Sequence, residues 1–346
     1  MSYRHSKYAG NEGDVIKHIS LIAALDTLMR SWKQNKGNNG QVFSYCDSYA
    51  ANGLNLFNSQ KKGTKWSKGI GKIHSKLTCN DAKINCHFGD WKNSWRLPPE
   101  EKNSEYITGF YPGSSLFVAK LFEKNEIKNY KIRLWDINLA CIEDQFKTFC
   151  KYDKSTKCFK LGSKISLYSK SAFNEINPNP EFNNHLEQAD FLFVDPPSLE
   201  IPQNYKNLAD TRAGNGNWTM FWFPLKGYRI KEDNPRIVES NDSINIRFGN
   251  WGIDSAKILI QYTKKCNDKK DSPSMIGCQI ILVGPPDTEE CRVRNNVKNS
   301  IDYVITLFKS KTNYNIPNNL ITFDAKKWGL PYGWDSPDHG VGGWSN

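Results

Sequence analysis

The chain has 346 residues, 38% of them hydrophobic and 13% aromatic, and a formal charge of +11. No apolar run is long enough to span a bilayer, and the nine cysteines are odd in number, scattered and without a C-x-x-C, which excludes a disulfide framework. The basic surplus of +11 favours a polyanionic partner, nucleic acid first; a Lys- and Asn-rich composition with no such partner is the bland alternative.

Residues 1–14 are polar and aperiodic, but Tyr3, Arg4 and His5 bring a stacking ring, a phosphate fork and a titratable group together. Asp14 is the expected N-cap of a helix carrying Val15, Ile16, Ile19, Ile22, Leu25 and Met29 at helical spacing, with Lys17 and His18 on its first turns. Gln41 to Asp47 reads as a strand running into the small-residue turn Ser48 to Gly53. In an open α/β sheet such a turn brings backbone close to a nucleoside-type ligand. Lys61, Lys62, Lys65, Lys68, Lys72 and Lys76 alternate with Trp66, Ile70 and Ile73, the pattern of a basic helical insertion. That insertion could grip phosphates and stack a base, or simply present a solvated face.

Tyr111 to Ser114 reads as a turn before a helix from Ser115 to Phe122. Ile132 to Trp135 is a strand followed by Asp136, an acid placed to take ribose hydroxyls. A helix over Cys141 to Cys150 and a strand over Lys164 to Tyr168 follow, then Ser171 and Ala172. Phe191 to Val194 is a strand apolar on both faces, ended by Asp195, Pro196 and Pro197. A rigid acid followed by prolyl carbonyls offers hydrogen-bond acceptors to a planar amino group. A solvated Asp in a Pro-Pro turn is the alternative. Residues 199–217 read as a polar loop, Trp218 to Pro224, Ala256 to Tyr262 and Gln279 to Val283 as strands, and Asn296 to Phe308 as a helix. Trp91, Trp95 and Trp135 are expected in the core. His74, Cys79, Cys86 and His87 match no standard zinc spacing, so no metal is expected.

Four blocks carry a resemblance to a known family: Ser2 to Ser6 with Ala9 to Asn11 and Asp14 to His18; Asp47 with its loop; Tyr111-Pro112-Gly113-Ser114; and Val194-Asp195-Pro196-Pro197. Trp222-Phe223-Pro224 and Pro285-Pro286 add weaker matches. In this order the chain resembles the bacterial 23S rRNA adenine-N6 methyltransferases of the RlmJ type. The resemblance implies an α/β, Rossmann-like methyltransferase fold with an inserted helical subdomain and S-adenosylmethionine as cofactor. By similarity Lys17, His18, Asp47, Tyr49, Gly53, Ser114, Asp136, Ser171, Ala172 and Asp195 would lie at the cofactor. Asp195 and Pro196 would be catalytic, and Tyr3, Arg4, His5 and Ser198 would meet the substrate. The implied partner is RNA, with large-subunit rRNA expected, for a cytoplasmic protein favoured as a monomer and without a membrane span.

The implied organisation is a tail over the active site (1–14), a methyltransferase domain (15–53 and 111–310), the insertion (54–110) and a C-terminal extension (311–346). The chain departs from the family pattern at Tyr49 (for His), Ala51-Asn52 (in a glycine-rich loop), Asp136 (for Glu), Ser171-Ala172 (for Asp-Gly) and Ser198 (for Tyr). An aromatic stacked on a target base contributes about 1–3 kcal/mol. These departures leave two other readings open: a catalytically weakened or inactive RNA-binding or assembly factor, and a methyltransferase acting on DNA or a protein amide.

Overall fold

The computed structural model describes residues 9–35, 40–57, 66–67, 69–77, 109–156, 164–170, 185, 189–196, 203–228, 236–237, 253–260, 274–289, 291–309, 320–321 and 344–345. The chain divides into two compact units, Met1–Phe193 with Thr288–Ser300, and Val194–Asp287 with Ile301–Asn346. The division falls inside the stretch 111–310 that the sequence assigns to one domain.

The first unit opens with α1 (Glu12–Asn35). Asn11, not Asp14, caps it: the Asn11 Oδ1 accepts the Asp14 N–H at 2.9 Å. Asp14 sits inside the first turn, where its carboxylate accepts the Gly10 N–H at 3.0 Å and pairs with Lys17 at 3.0 Å. A carboxylate is favoured there by the helix dipole as well as by its partners. Val15, Ile16, Ile19, Leu21, Ala24, Leu25 and Met29 are fully enclosed.

β1 (Phe43–Asp47) starts two residues later than the sequence suggests, since Val42 is exposed. β2 (Leu54–Phe57) follows the small-residue turn, and the short α2 (Ile70–Ile73) lies within the basic stretch. Tyr111 and Pro112 end a strand, β3 (Gly109–Pro112), instead of forming a turn. Its partner is β2, with Leu54 opposite Pro112 and Phe57 opposite Gly109. Proline is tolerated at that terminal position because its missing N–H breaks no interior rung. The expected helical insertion thus begins and ends in paired strands; residues 78–108 lie outside the described residues. The Ile70 N–H donates to the Gly10 carbonyl at 2.8 Å, and a Cβ on Gly69 would overlap that carbonyl. Residues 69–73 are therefore tied to the start of α1.

α3 (Ser114–Lys124), β4 (Tyr130–Trp135), α4 (Leu139–Thr156), β5 (Ile165–Tyr168) and β6 (Phe191–Val194) complete this part of the fold. Strands β6, β1, β4 and β5 lie side by side in that order, all parallel. All residues of β1 and β6 are buried, as parallel strands covered on both faces require. Trp135 is fully buried and stacks on Tyr168 with ring centroids 4.2 Å apart. Phe122 stacks on Tyr130 at 4.3 Å, and the Asn125 Nδ2 ties the end of α3 to Asp26 of α1 at 3.0 Å.

In the second unit the expected loop at 199–217 contains a helix, α5 (Gln203–Gly214). Tyr205, Ala209, Arg212 and Ala213 are its buried residues, a helical spacing hidden by the polar residues between them. Arg212 is buried and donates to the Thr219 Oγ1 at 3.0 Å and the Trp218 carbonyl at 2.9 Å. β7 (Trp218–Tyr228), β8 (Arg236–Ile237), β9 (Ile253–Ile260) and β10 (Ser274–Val283) are antiparallel, with β10 between β7 and β9 and β8 on β7. A Cβ on Gly284 would overlap the Trp218 ring, so the chain leaves β10 with a residue that has none. After α6 (Val293–Lys309), two short strands of the C-terminal stretch, β11 (Leu320–Ile321) and β12 (Trp344–Ser345), both pair with β9.

The cap at Asn11 is separable from the rest of the core. Asn11→Ala should lower stability by about 1 kcal/mol in urea unfolding; an unchanged midpoint would show that the Asp14 N–H finds another acceptor.

Candidate active site

In open α/β sheets, ligands bind beyond the carboxyl ends of the strands. In the first unit, β1 ends in Asp47 and β4 is followed by Asp136. Asp47 is fully buried. Its Oδ2 accepts from the Ser114 hydroxyl at 2.7 Å and the Tyr45 hydroxyl at 3.2 Å, and its Oδ1 accepts the Tyr49 N–H at 3.1 Å. An enclosed carboxylate needs such donors to offset lost hydration. Asp47 and Ser114, both expected beside a cofactor, here bind each other and shape the loop from within.

The loop from Ser48 to Gly53 has nearly all its backbone donors engaged. The Ser48 N–H reaches the Phe193 carbonyl at 3.1 Å, and the Ala50 N–H reaches the Trp135 carbonyl at 2.9 Å. The Ala51 N–H is held by the Asp136 Oδ2 at 2.9 Å. The Gly53 and Leu54 N–H groups both go to the Asp144 Oδ2, at 3.0 and 3.3 Å. Asn52, half-buried, is the residue in this run whose N–H has no partner among the described residues. The loop's other edge is closed by the Gly113 N–H on the Gly53 carbonyl at 2.8 Å. A Cβ on Gly113 would overlap the Asn52 carbonyl, so glycine is required at that close approach.

Ala51 adopts φ +47°, the left-handed region. A side chain there costs about 1–2 kcal/mol. Asp136 is half-buried, and its Oδ1 also accepts the Asn138 N–H at 2.7 Å. Each Asp136 oxygen thus has one protein donor, which leaves acceptor capacity for hydroxyls. That chemistry fits an adenosine ribose. Tyr49, whose N–H is held by Asp47, is half-buried.

His18 and Lys17 come from α1 and are both buried. The His18 Nδ1 lies 3.0 Å from the Tyr111 hydroxyl, and its ring packs against Phe117 with centroids 5.0 Å apart. Burial, reinforced by the Lys17 charge and opposed by Asp14, pushes the imidazole down to about 3. His18 is therefore neutral at ordinary pH. Burial raises the Tyr111 phenol well above its usual range, so that ring stays protonated. Tyr111 was not among the expected site residues; the only signal was its place beside Pro112-Gly113-Ser114. Asp144 and Gln145, which grip the loop from α4, carried no signal at all.

Asp195 follows directly on β6 and is half-buried, with Pro196 buried after it. Gly53 is buried against α4. The expected site residues Tyr3, Arg4, His5, Ser171, Ala172 and Ser198 lie outside the described residues. Among the described residues there is no His, Cys, Asp and Glu group able to hold a metal ion, and no helix long and apolar enough to cross a membrane. Among the described residues Cys46, Cys141, Cys278 and Cys291 form no disulfide with one another, and burial followed by Asp136 and Asp144 pushes Cys141 up to about 11.

No family model matches the chain. It is 22% identical over 298 residues to the ribosomal RNA large subunit methyltransferase J of Escherichia coli, spanning 85% of this chain and 91% of that protein. The protein of the same name from Haemophilus influenzae is 21% identical over 305 residues, with 85% and 90% covered. A crystal structure of a Legionella pneumophila protein of the family DUF519 superposes with a TM-score of 0.52 at 16% identity, covering 87% of this chain and 94% of that one. The fold is α/β and Rossmann-like, with parallel strands β6, β1, β4 and β5, and the sequence similarity supports a methyltransferase.

Ala51→Gly should relieve the left-handed strain and stabilise the protein by about 0.5–1 kcal/mol net of unfolded-chain entropy; a fall in thermal midpoint would show that the side chain packs favourably. His18 is held at about 3 in the fold against 6.5 when unfolded, so the unfolded chain binds the proton first and stability falls as pH drops through that window. The slope approaches about 1.4 kcal/mol per pH unit below the unfolded value. His18→Gln should flatten urea midpoints between pH 6 and 4 relative to the wild type, and parallel curves would show that His18 does not carry the effect.

Proposed function

We propose that the chain is an S-adenosylmethionine-dependent methyltransferase acting on the N6 amine of adenine in RNA, with large-subunit rRNA as the substrate. The observation that carries this reading is the prebuilt loop after β1, whose conformation is tied to Asp136 at the end of the neighbouring strand. The similarity to a large-subunit rRNA methyltransferase over 85% of the chain supports the substrate class. The charge of +11 is in keeping with a phosphate-rich partner.

Asp136 would hold the ribose hydroxyls, and the loop from Tyr49 to Gly53, with His18 and Lys17, would hold the remainder of the cofactor. S-adenosylmethionine supplies, when bound, an electrophilic methyl group on sulfur. The chain's own task is to make a weak nucleophile available. An adenine amine is poorly reactive because its lone pair is delocalised into the ring. The Asp195 carboxylate and the Pro196 carbonyl would accept its two N–H bonds and turn the lone pair out of the ring plane. Held acceptors also stabilise the positive charge that develops on the nitrogen. Fixed orientation lowers the entropic part of the barrier. The base must leave its stack to reach them. A neutral His18 adds no positive charge near a sulfonium, which suits a cationic ligand. A cytoplasmic location follows from an RNA substrate.

The test is transfer of labelled methyl from S-adenosylmethionine to protein-free large-subunit rRNA. Transfer to adenine N6 that Asp195→Ala reduces by about a hundredfold or more is expected if the acid orients the amine. Full activity in Asp195→Ala would overturn the mechanism. Folded protein that binds RNA but transfers nothing would favour the non-catalytic assembly factor, and label on DNA or protein would redirect the substrate.

A further inference from the structure

We infer that Asp144 and Gln145, adjacent on α4, are the positioning residues of the loop from Ala50 to Leu54. The inference rests on that loop being the cofactor loop. Gln145 is fully buried, and its Nε2 donates to both the Ala50 carbonyl at 2.9 Å and the Ala51 carbonyl at 3.0 Å. Its Oε1 accepts the Ser115 hydroxyl at 2.7 Å. Two carbonyls on one side allow only the amide nitrogen to face the loop, so the orientation of this side chain is determined by its surroundings. A Cβ on Gly53 would lie 2.7 Å from the Gln145 Oε1, so the loop backbone rests directly on the amide. Asp144 is half-buried and takes the next two backbone donors, those of Gly53 and Leu54.

Carbonyls of residues 50 and 51 and amides of residues 53 and 54 are thus gripped by two consecutive side chains of one helix. The strained residue, Ala51 at φ +47°, lies inside this grip. A non-glycine residue persists in that region only where neighbours over-determine it. The grip acts on backbone groups, so it is indifferent to side chains within the loop. It explains how a loop with a side chain at Ala51, in the left-handed region, keeps its path. α4 is itself aligned by Asn138, whose Oδ1 accepts the Ala140 N–H at 3.1 Å, and Asn138 is bonded to Asp136. The acid beyond β4 and the clamp on the loop therefore share one helix start.

The experiment uses the full chain. S-adenosylmethionine is titrated calorimetrically into wild type, Gln145→Leu, Asp144→Ala and Asp144→Asn, with hydrogen exchange of each ligand-free protein. Asp144→Asn keeps an acceptor oxygen for Gly53 and Leu54 and should bind within about threefold of wild type, whereas Asp144→Ala, losing two hydrogen bonds, and Gln145→Leu, losing three, should weaken binding about tenfold or more. Exchange should quicken at Gly53 and Leu54 in Asp144→Ala while amides of β1 and α1 keep their protection. A merely structural role would lower the melting temperature without separating Asn from Ala at position 144 in affinity. Should Gln145→Leu fail to fold, the three proteins differing at position 144 decide the matter. Equal affinity and equal exchange in Asp144→Ala and wild type overturn the clamp. If wild type itself takes up no S-adenosylmethionine, the proposed function fails, and exchange at Gly53 and Leu54 alone decides whether the clamp holds the loop.

Discussion

A carboxylate with no contact to solvent organises the carboxyl end of the parallel sheet. Asp47 ends β1, is completely enclosed, and receives donors from its own strand, from the turn after it, and from the first residue of α3. Each donor offsets part of the lost hydration, and the loss of any one leaves a buried charge short of a partner. The same bonds decide the direction in which the chain leaves the strand. The Ser114 hydroxyl brings the β3–α3 junction against the β1–β2 junction, and Gly113 permits the backbones to touch there.

The acids at strand ends are not equivalent, and their surroundings separate their roles. Asp190 precedes β6 and accepts the Ser44 N–H at 2.7 Å, at the opposite end of the sheet from the loop. Ser44 in turn accepts from the buried Arg133 at 2.7 Å, so this end is a structural lock across neighbouring strands. Asp136, beyond the other end of the sheet, is half-buried like Asp190 and holds the Ala51 and Asn138 N–H groups. Asp195 is half-open as well, on a strand whose residues are otherwise buried.

The start of α1 shows how a polar terminus can end up inside a core. Asn11, Asp14 and Lys17 satisfy one another and the backbone, so the first turn can be covered without stranding a charge. His18 then enters an aromatic environment of Tyr111 and Phe117 and loses its basicity to burial. The described part of the basic insertion leans on this same turn through Gly10.

Much of the frame is readable in the amino-acid order, because the relevant physics is local. Buried parallel strands read as short apolar runs, and an acid or a proline after Val194 or Trp135 marks their ends, which located Asp47, Asp136 and Asp195. Helical spacing located α3 and α6 to within three residues at either end, and the starts of α1 and α4, whose last turns are polar and extend six residues beyond Met29 and Cys150. Where polar residues outnumber the buried face, as in α5, the periodicity is too thin to register and a helix reads as a loop. Nor does local order show that Asn11 rather than Asp14 caps α1, since either can accept an amide and only the path of Gly10 selects between them. The pairing of His18 with Tyr111, of Asp47 with Ser114, and of Gln145 with the Ala50 and Ala51 carbonyls joins residues 67 to 95 positions apart. Such contacts leave no trace in spacing or composition. They exist because the sheet brings distant segments to one edge, and a buried polar group there must find whichever partner the fold delivers.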